Sequence, residues 1–395
     1  MTAIGVIDGM WTADVADDGS VVIDGRRVQF AVAAEDRWHL LSEEPSLRQR
    51  SVRGTPVVET RVRVPEGDVV FVTYGVADGP GAVAMEITNE SPLAVAIACS
   101  DPSVVSARPP ASVAVEGVAL PAESVLFPLG HKTTIRLVLP VQVDAAGSTI
   151  VAASVPPSDR VANGWRVQVD TGARYTLPGL DEAIVAARCQ LLLRGIEGNS
   201  VDGERSDVLA ALCTVAEMAR MGRDPFLPGV DWAPDLAALC IESAKRHGSD
   251  PLTRPALEGA ATLFDARGET RAARDIFRLA ARLVPASTAA MAEPDRDVAP
   301  ARWLTWLAAG LVSDGSDGVA LFTRWPNDWL GQNVEIRDVP TRHGTVSAAI
   351  RWHGPRPALL WECSAPMTLT CPGLDPGWKD ERPSGEALLA APTPT

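Results

Sequence analysis

Residues 322–362 read FTRWPNDWLGQNVEIRDVPTRHGTVSAAIRWHGPRPALLWE, and their pattern decides how the end of the chain folds. Apolar and polar residues alternate here, and glycine, proline and asparagine interrupt them, which is typical of short antiparallel strands. The stretch holds four of the eleven tryptophans, which are Trp325, Trp329, Trp352 and Trp361. The sequence therefore predicts a small β cap, which we place at residues 316–382.

The N-terminal part has the periodicity of a β-sandwich. Short apolar runs recur about every ten residues from residue 5 to about 169, are rich in β-branched residues, and are bounded by Gly, Pro, Asp and Asn. The predicted strands are 21–23, 28–32, 57–64, 69–74, 83–89, 95–99, 133–141, 150–155 and 165–169. We expect a β-sandwich domain over residues 1–172.

The middle of the chain changes to a helical period. Apolar residues recur at 3.6-residue spacing in six segments, which predicts three helical hairpins within residues 173–315. The predicted helices are 180–194, 207–221, 232–246, 254–264, 269–283 and 301–312. Residues 383–395 carry three prolines and no pattern, so we expect a mobile tail. The expected fold class is multidomain α+β: a sandwich, a helical arc and a β cap.

Composition excludes several classes of function. The net charge of −14 and the pI of about 4.9 would repel a phosphate backbone, so nucleic acid is not an expected partner. The first residues lack a cationic and an apolar signal region, and no apolar run reaches the roughly 18 residues of a membrane span. We expect a cytoplasmic protein that does not associate with membranes.

The cysteines and histidines do not form metal or cofactor motifs. The six cysteines include no CxxC pair, and the chain has no HExxH, P-loop, GxGxxG or GxSxG motif. Neither a metal nor a cofactor is predicted. We expect the cysteines to be thiols, although Cys363 and Cys371 are close enough in sequence to meet across a hairpin.

The layout resembles that of six-hairpin glycoside hydrolases, which have a glucoamylase-like helical toroid. Two segments carry the resemblance: Leu177-Pro178-Gly179-Leu180 ahead of the helices, and AVAMEITNESP at residues 82–92, which is similar to strands of the N-terminal supersandwich in that family. The resemblance implies a carbohydrate ligand and a pair of catalytic carboxylates. This chain has only about half of the toroid's helices, so it resembles a shortened or degenerate relative.

The candidate catalytic residues lie in the loop GIEGNSVDGERSD after the first helix. Glu197, Asp202 and Glu204 are candidates for a general acid or base, since hydrolysis needs two carboxylates about 5 to 9.5 Å apart. The alternative is that they are solvated loop charges and that Asp207 caps the next helix.

The candidate ligand-binding residues lie in the β cap. Trp325 and Trp329 are candidates for a platform on which a sugar ring stacks, with Asn327 and Asp328 bonding its hydroxyls; the alternative is that these tryptophans seal the cap by packing. His353 is a candidate to bond a sugar or, alternatively, to order a hairpin.

The preferred function is a non-catalytic glycoside-hydrolase-like protein that binds a glycan or a partner protein. One alternative is an active inverting hydrolase that uses the loop carboxylates, and another is a structural scaffold subunit. We also expect self-association or a partner protein at the helical arc, because the apolar faces at 236–240 and 256–263 would otherwise be exposed to solvent.

Overall fold

The structure is a computed structural model that describes residues 1–9, 11–77, 80–142, 151–195, 207–224, 231–283 and 291–391. The fold is mixed α+β, with antiparallel sheets and seven α-helices among these residues. Contacts divide the chain into two compact units, Met1–Val167 and Gln168–Thr395. Within the described residues, no helix is both long enough and apolar enough to cross a membrane.

Three sheets form the first unit. One has four strands in the order β1-β2-β3-β4: β1 (Thr2–Gly5), β2 (Thr12–Val15), β3 (Val21–Ile23) and β4 (Arg26–Val28). A second has the order β13-β11-β5-β6: β5 (Phe30–Ala33), β6 (Trp38–Leu40), β11 (Val95–Cys99) and β13 (Val125–Leu129). The third has the order β12-β14-β10-β9-β8-β7: β7 (Arg48–Ser51), β8 (Val57–Val64), β9 (Gly67–Val76), β10 (Ala82–Asn89), β12 (Val105–Ser106) and β14 (Thr134–Pro140).

One buried cluster joins these three sheets. It includes Ile4 of β1, Phe30 of β5, Phe71 of β9, Ile87 of β10 and Ile97 of β11, each at most 2% exposed. Alternate residues of a strand point to one face, so the alternating runs of the sequence supply this cluster with its side chains. Apolar burial of this extent is the main stabilising contribution to the unit.

Two of the predicted strands are wrong. Residues 165–169 belong to helix α1 (Ser158–Val169), because Ala162, Trp165 and Val169 are buried at helical spacing. The five residues of the predicted strand are too few to show that helical period. Ser158 also fixes the first turn of α1, since its hydroxyl donates to the Glu86 carboxylate at 2.5 Å. Residues 151–155 form turns rather than a strand.

The second unit contains six helices and two sheets. The helices are α2 (Asp181–Arg194), α3 (Val208–Arg220), α4 (Ala233–His247), α5 (Thr253–Ala266), α6 (Thr270–Arg282) and α7 (Pro300–Leu311). Each overlaps one of the six predicted helices. Asp207 caps α3 by accepting bonds from the backbone amides of Leu209 and Ala210, and Gly195 ends α2 with a φ of 62°, a conformation that glycine adopts without strain.

The two sheets of the second unit follow the helices, except for one strand that precedes them. A five-stranded sheet has the order β15-β18-β19-β20-β23: β15 (Arg174–Thr176), β18 (Val334–Thr341), β19 (Gly344–His353), β20 (Arg356–Cys363) and β23 (Ser384–Leu388). A four-stranded sheet has the order β16-β17-β21-β22: β16 (Val312–Asp314), β17 (Val319–Leu321), β21 (Leu369–Cys371) and β22 (Asp375–Asp380). Residues 384–388, which the sequence assigns to a tail, therefore form an edge strand, because β23 pairs with β20.

The apolar helix faces at 236–240 and 256–263 are not left open. Leu236, Cys240, Ala256, Ala260 and Leu263 are each at most 4% exposed. Helices α3, α4 and α5 pack on one another and cover these faces, so the expected cause of self-association is wrong. Self-association itself stays a prediction.

Candidate functional site

A shallow groove that is open to solvent crosses one face of the five-stranded sheet, and its volume is about 650 Å³. Sites for small ligands typically have volumes of about 300 to 1,000 Å³, so the groove has the size of such a site. Its lining includes Arg174, Glu335, Arg337, Asp338, Leu360 and Glu362.

Strand register places these side chains on one face. Glu335 of β18 lies opposite Ala349 of β19, which lies opposite Leu360 of β20. Side chains alternate between the faces of a sheet, so the residues between them, such as Ile336 and Ala348, point to the opposite face and are buried. The groove therefore follows the rows of residues that the sheet turns away from its core.

A β-bulge in β18 positions Asp338. The pairing of β18 with β19 shifts between Ile336 and Val339, and Asp338 has a φ of 56°, which is rare for a residue with a side chain. Its backbone N–H donates to the Ser347 hydroxyl at 3.0 Å, and its carboxylate pairs with Arg174 at 2.8 Å. Bulges commonly redirect a side chain beside a functional site, and backbone strain is often found there.

The charges along the groove nearly balance. Glu335 accepts hydrogen bonds from Arg351, at 2.5 Å, and from Arg337, and these bonds hold the pKa of Glu335 below its usual range. Glu362 is exposed and has no ion pair among the described residues. Leu360 is 37% exposed, so the same face also offers an apolar surface.

A second candidate site is a small cavity lined by two carboxylates, Glu258 of α5 and Asp314 of β16. Burial raises the pKa of Glu258 to about 7 and that of Asp314 to about 6. Arg254 links the two residues: its Nε lies 2.8 Å from a Glu258 oxygen, and its Nη2 donates to the backbone carbonyl of Asp314 at 2.9 Å. The cavity has a volume of only about 30 Å³. That volume matches about one water molecule and is too small for a sugar ring.

A buried charge cluster reaches the same cavity. Arg188 of α2 and Arg220 of α3 both pair with Glu217, at 2.8 and 3.1 Å, and Arg220 lines the cavity. Arg188 also donates to the backbone carbonyls of Val169 and Ala173 and lies 4.9 Å from the centre of the Tyr175 ring. These contacts join α2 to α3, so the cluster has a structural role.

The predicted catalytic residues Glu197, Asp202 and Glu204 lie outside the described residues. The described residues also contain no group of three or more His, Cys, Asp or Glu side chains that could hold a metal ion.

The predicted tryptophan pair forms part of an edge-to-face cluster. Trp325 and Trp329 have ring centroids 5.7 Å apart at 89°, and Trp352 lies 6.4 Å from Trp325. Trp329 is only 5% exposed, and the indole N–H of Trp325 is buried without a hydrogen-bond partner among the described residues. Rings arranged at right angles do not present the flat surface of a stacking platform, so this geometry favours the packing alternative.

The other predicted ligand residues are exposed but dispersed. Asn327 and Asp328 are the first two residues of the 3-10 turn Asn327–Trp329, and their side chains make no hydrogen bond within the described part of the chain. His353 ends β19 at the tip of a hairpin, opposite Arg356. This position agrees with the alternative that His353 orders a hairpin. None of the predicted ligand residues lines the sheet groove.

The groove residues were not predicted, although one signal for them is present in the sequence. Leu359 and Leu360 are adjacent in β20, and alternation places one inside and one outside: Leu359 is buried and Leu360 is exposed. A single exposed apolar residue is common on protein surfaces, so this signal alone does not identify a binding surface.

Comparisons with known proteins give little. No family model and no curated protein matches this chain. Among solved structures, the chain is similar to one described as "Putative kojibiose phosphorylase from human microbiome", with a TM-score of 0.40 and 6% sequence identity over 91% of this chain and 88% of that chain. A likeness this distant carries no argument about activity or ligand.

Proposed function

We propose that the protein binds a neutral oligosaccharide in the sheet groove and does not hydrolyse it. One observation carries this proposal. The groove has the volume of a ligand site, whereas the two carboxylates with strongly raised pKa values line a cavity that fits about one water molecule.

The lining of the groove suits a ligand with many hydroxyl groups. A hydroxyl both donates and accepts hydrogen bonds, so it bonds equally well to the guanidinium of Arg337 and to the carboxylate of Glu362. Because acidic and basic groups nearly balance along the groove, a strongly charged ligand gains little there. Leu360 and Ala349 form an apolar surface on which the C–H face of a sugar ring packs.

Among the described residues, Glu335 is the groove carboxylate with a displaced pKa, and the direction of that shift does not suit the proton donor that hydrolysis needs. A glycosidase uses a carboxylic acid whose pKa is raised, so that it donates a proton near neutral pH. Hydrogen bonds to Arg351 and Arg337 have the opposite effect on Glu335 and keep it ionised. Glu258 and Asp314 have the raised pKa values, but the cavity between them does not admit a sugar.

A glycan array combined with a turnover assay tests this proposal. We expect the purified protein to bind at least one neutral oligosaccharide and to release no reducing sugar from it above background. Hydrolysis that Glu197→Gln removes would overturn the non-catalytic part and support the hydrolase alternative. A cytoplasmic location stays a prediction from the sequence.

A further inference from the structure

Helix α6 carries a stripe of arginines along its exposed side. Arg271, Arg274, Arg278 and Arg282 are all exposed, and their spacing of three, four and four residues places them within about 80° of the helix circumference. The stripe spans twelve residues, and the eleven steps from Arg271 to Arg282 rise about 16 Å along the axis. We call these four residues the arginine stripe.

The opposite side of α6 is covered by protein. Ala273, Ile276 and Ala280 are at most 5% exposed, and α6 packs on α5 and contacts α4. The helix therefore presents only its polar side to solvent. A helix whose apolar side is already buried has nothing to insert into a lipid bilayer, which argues against a membrane as the partner.

Most of the arginine stripe has no ion-pair partner within the residues that the structure describes. Arg278 pairs with Asp275 at 3.3 Å, with both side chains more than half exposed. Arg271, Arg274 and Arg282 have no carboxylate within ion-pair distance in the described part of the chain. Elsewhere in the second unit, exposed arginines such as Arg246 and Arg382 pair with carboxylates of the same chain. In a protein with a net charge of −14, three arginines without an ion pair among the described residues form a local patch of positive charge.

We propose that the arginine stripe docks an acidic segment of a partner protein. Carboxylates match the planar guanidinium fork and accept two parallel hydrogen bonds from it. A helix with glutamates at the same spacing of three, four and four residues would place one carboxylate opposite each arginine. This proposal does not depend on the oligosaccharide site, which lies on the sheet.

Nucleic acid fits the arginine stripe less well than an acidic peptide does. Single strands bind where exposed aromatic rings stack on the bases, and the one aromatic residue of α6, Phe277, is half-buried with Arg342 against its ring at 5.5 Å. A long polyanion would also extend beyond the stripe onto a surface that is acidic overall. A short acidic segment meets neither obstacle.

Fluorescence anisotropy with a labelled probe tests the docking proposal. The probe is an alanine-based helical peptide that carries four glutamates at the stated spacing, and its control carries glutamines instead. We expect the glutamate peptide to bind at about 50 mM NaCl, the glutamine peptide to bind at least about tenfold more weakly, and about 300 mM NaCl to weaken binding strongly.

Two double variants with the same change in net charge locate the binding surface. Arg274→Glu with Arg282→Glu should raise the Kd about tenfold or more, whereas Arg108→Glu with Arg160→Glu, at exposed arginines of the first unit, should leave it within about twofold. If circular dichroism shows that the first pair unfolds the protein, Arg274→Gln with Arg282→Gln replaces it. Equal losses in both pairs, no binding of the glutamate peptide, or tighter binding of single-stranded DNA or phosphatidylserine vesicles would overturn the proposal.

Discussion

Arg188 of α2 and Glu217 of α3 form an ion pair of 2.8 Å, with 1% and 0% of their side chains exposed. Removing one partner of an ion pair this deeply buried strongly destabilises the folded state, because the other charge stays buried without compensation. Here two arginines depend on one carboxylate, since Arg220 pairs with Glu217 as well.

We therefore expect Glu217→Gln to lower the free energy of unfolding by about 3 to 5 kcal/mol. Urea denaturation followed by circular dichroism measures the loss. The matched control is Glu242→Gln, which breaks the exposed pair between Glu242 and Arg246 and should cost less than about 1 kcal/mol. Equal effects of the two variants would show that the buried cluster is not a structural joint.

The cavity carboxylates should make stability depend on pH. Burial raises the pKa of Glu258 to about 7 and that of Asp314 to about 6, above the ordinary values of about 4.3 and 3.9. The folded state thus binds these protons more tightly, and the stability they contribute is full below about pH 4 and is lost as the pH rises through 6 and 7.

We expect the melting temperature at about pH 8 to lie below that at about pH 5.5, with Glu258 responsible for roughly 2 kcal/mol of the difference in stability. Glu258→Gln should remove most of this difference, because the amide does not titrate. Differential scanning calorimetry at a series of pH values measures it. A wild-type melting temperature that is constant across this range would contradict the raised pKa values.

Trp329 should behave as a core residue. It is 5% exposed and packs edge to face against Trp325, so Trp329→Ala should lower the free energy of unfolding by about 3 to 5 kcal/mol. Asn327→Ala, two residues earlier and exposed, should change it by less than about 0.5 kcal/mol. If Trp329→Ala abolished sugar binding without lowering stability, that result would support the stacking platform and contradict a core role.

The cysteines should be unreactive in the native protein. All six are buried free thiols, and burial raises the pKa of Cys99, Cys213, Cys240 and Cys371 to about 12. A thiol attacks only as its thiolate, so we expect no rapid reaction with Ellman's reagent at neutral pH. In guanidinium chloride all six should react. A fast-reacting thiol in the folded protein would contradict this burial.

Local pattern predicted much of the secondary structure. Strands β8 and β11 have the predicted bounds, and each of α2 to α7 overlaps its predicted helix, because periodicity reports which side faces a core. The strand expected at 28–32 is split at Gln29, whose backbone amide instead donates to the Ser100 hydroxyl at 2.8 Å. A partner 71 residues away leaves no trace in a local window.

The candidate site was much less predictable. Tryptophans were predicted to bind sugar because their rings can stack on it, yet whether they are buried depends on tertiary packing. The groove arises from the register of β18, β19 and β20 and from the bulge that places Asp338, and a one-residue difference in register would turn Glu335 and Leu360 to the other face. The adjacent Leu359 and Leu360 are the one local sign of this surface, and alone they do not identify it.

The most direct test of the central claim is one glycan array probed with wild type, Leu360→Ser and Leu388→Ser. Both leucines are exposed residues of the five-stranded sheet, but only Leu360 is among the residues that line the groove. We predict that wild type and Leu388→Ser bind the same neutral oligosaccharides and that Leu360→Ser loses about 1.4 kcal/mol, or tenfold in affinity. An array without bound glycan, or an equal loss in both variants, would contradict the assignment of the groove.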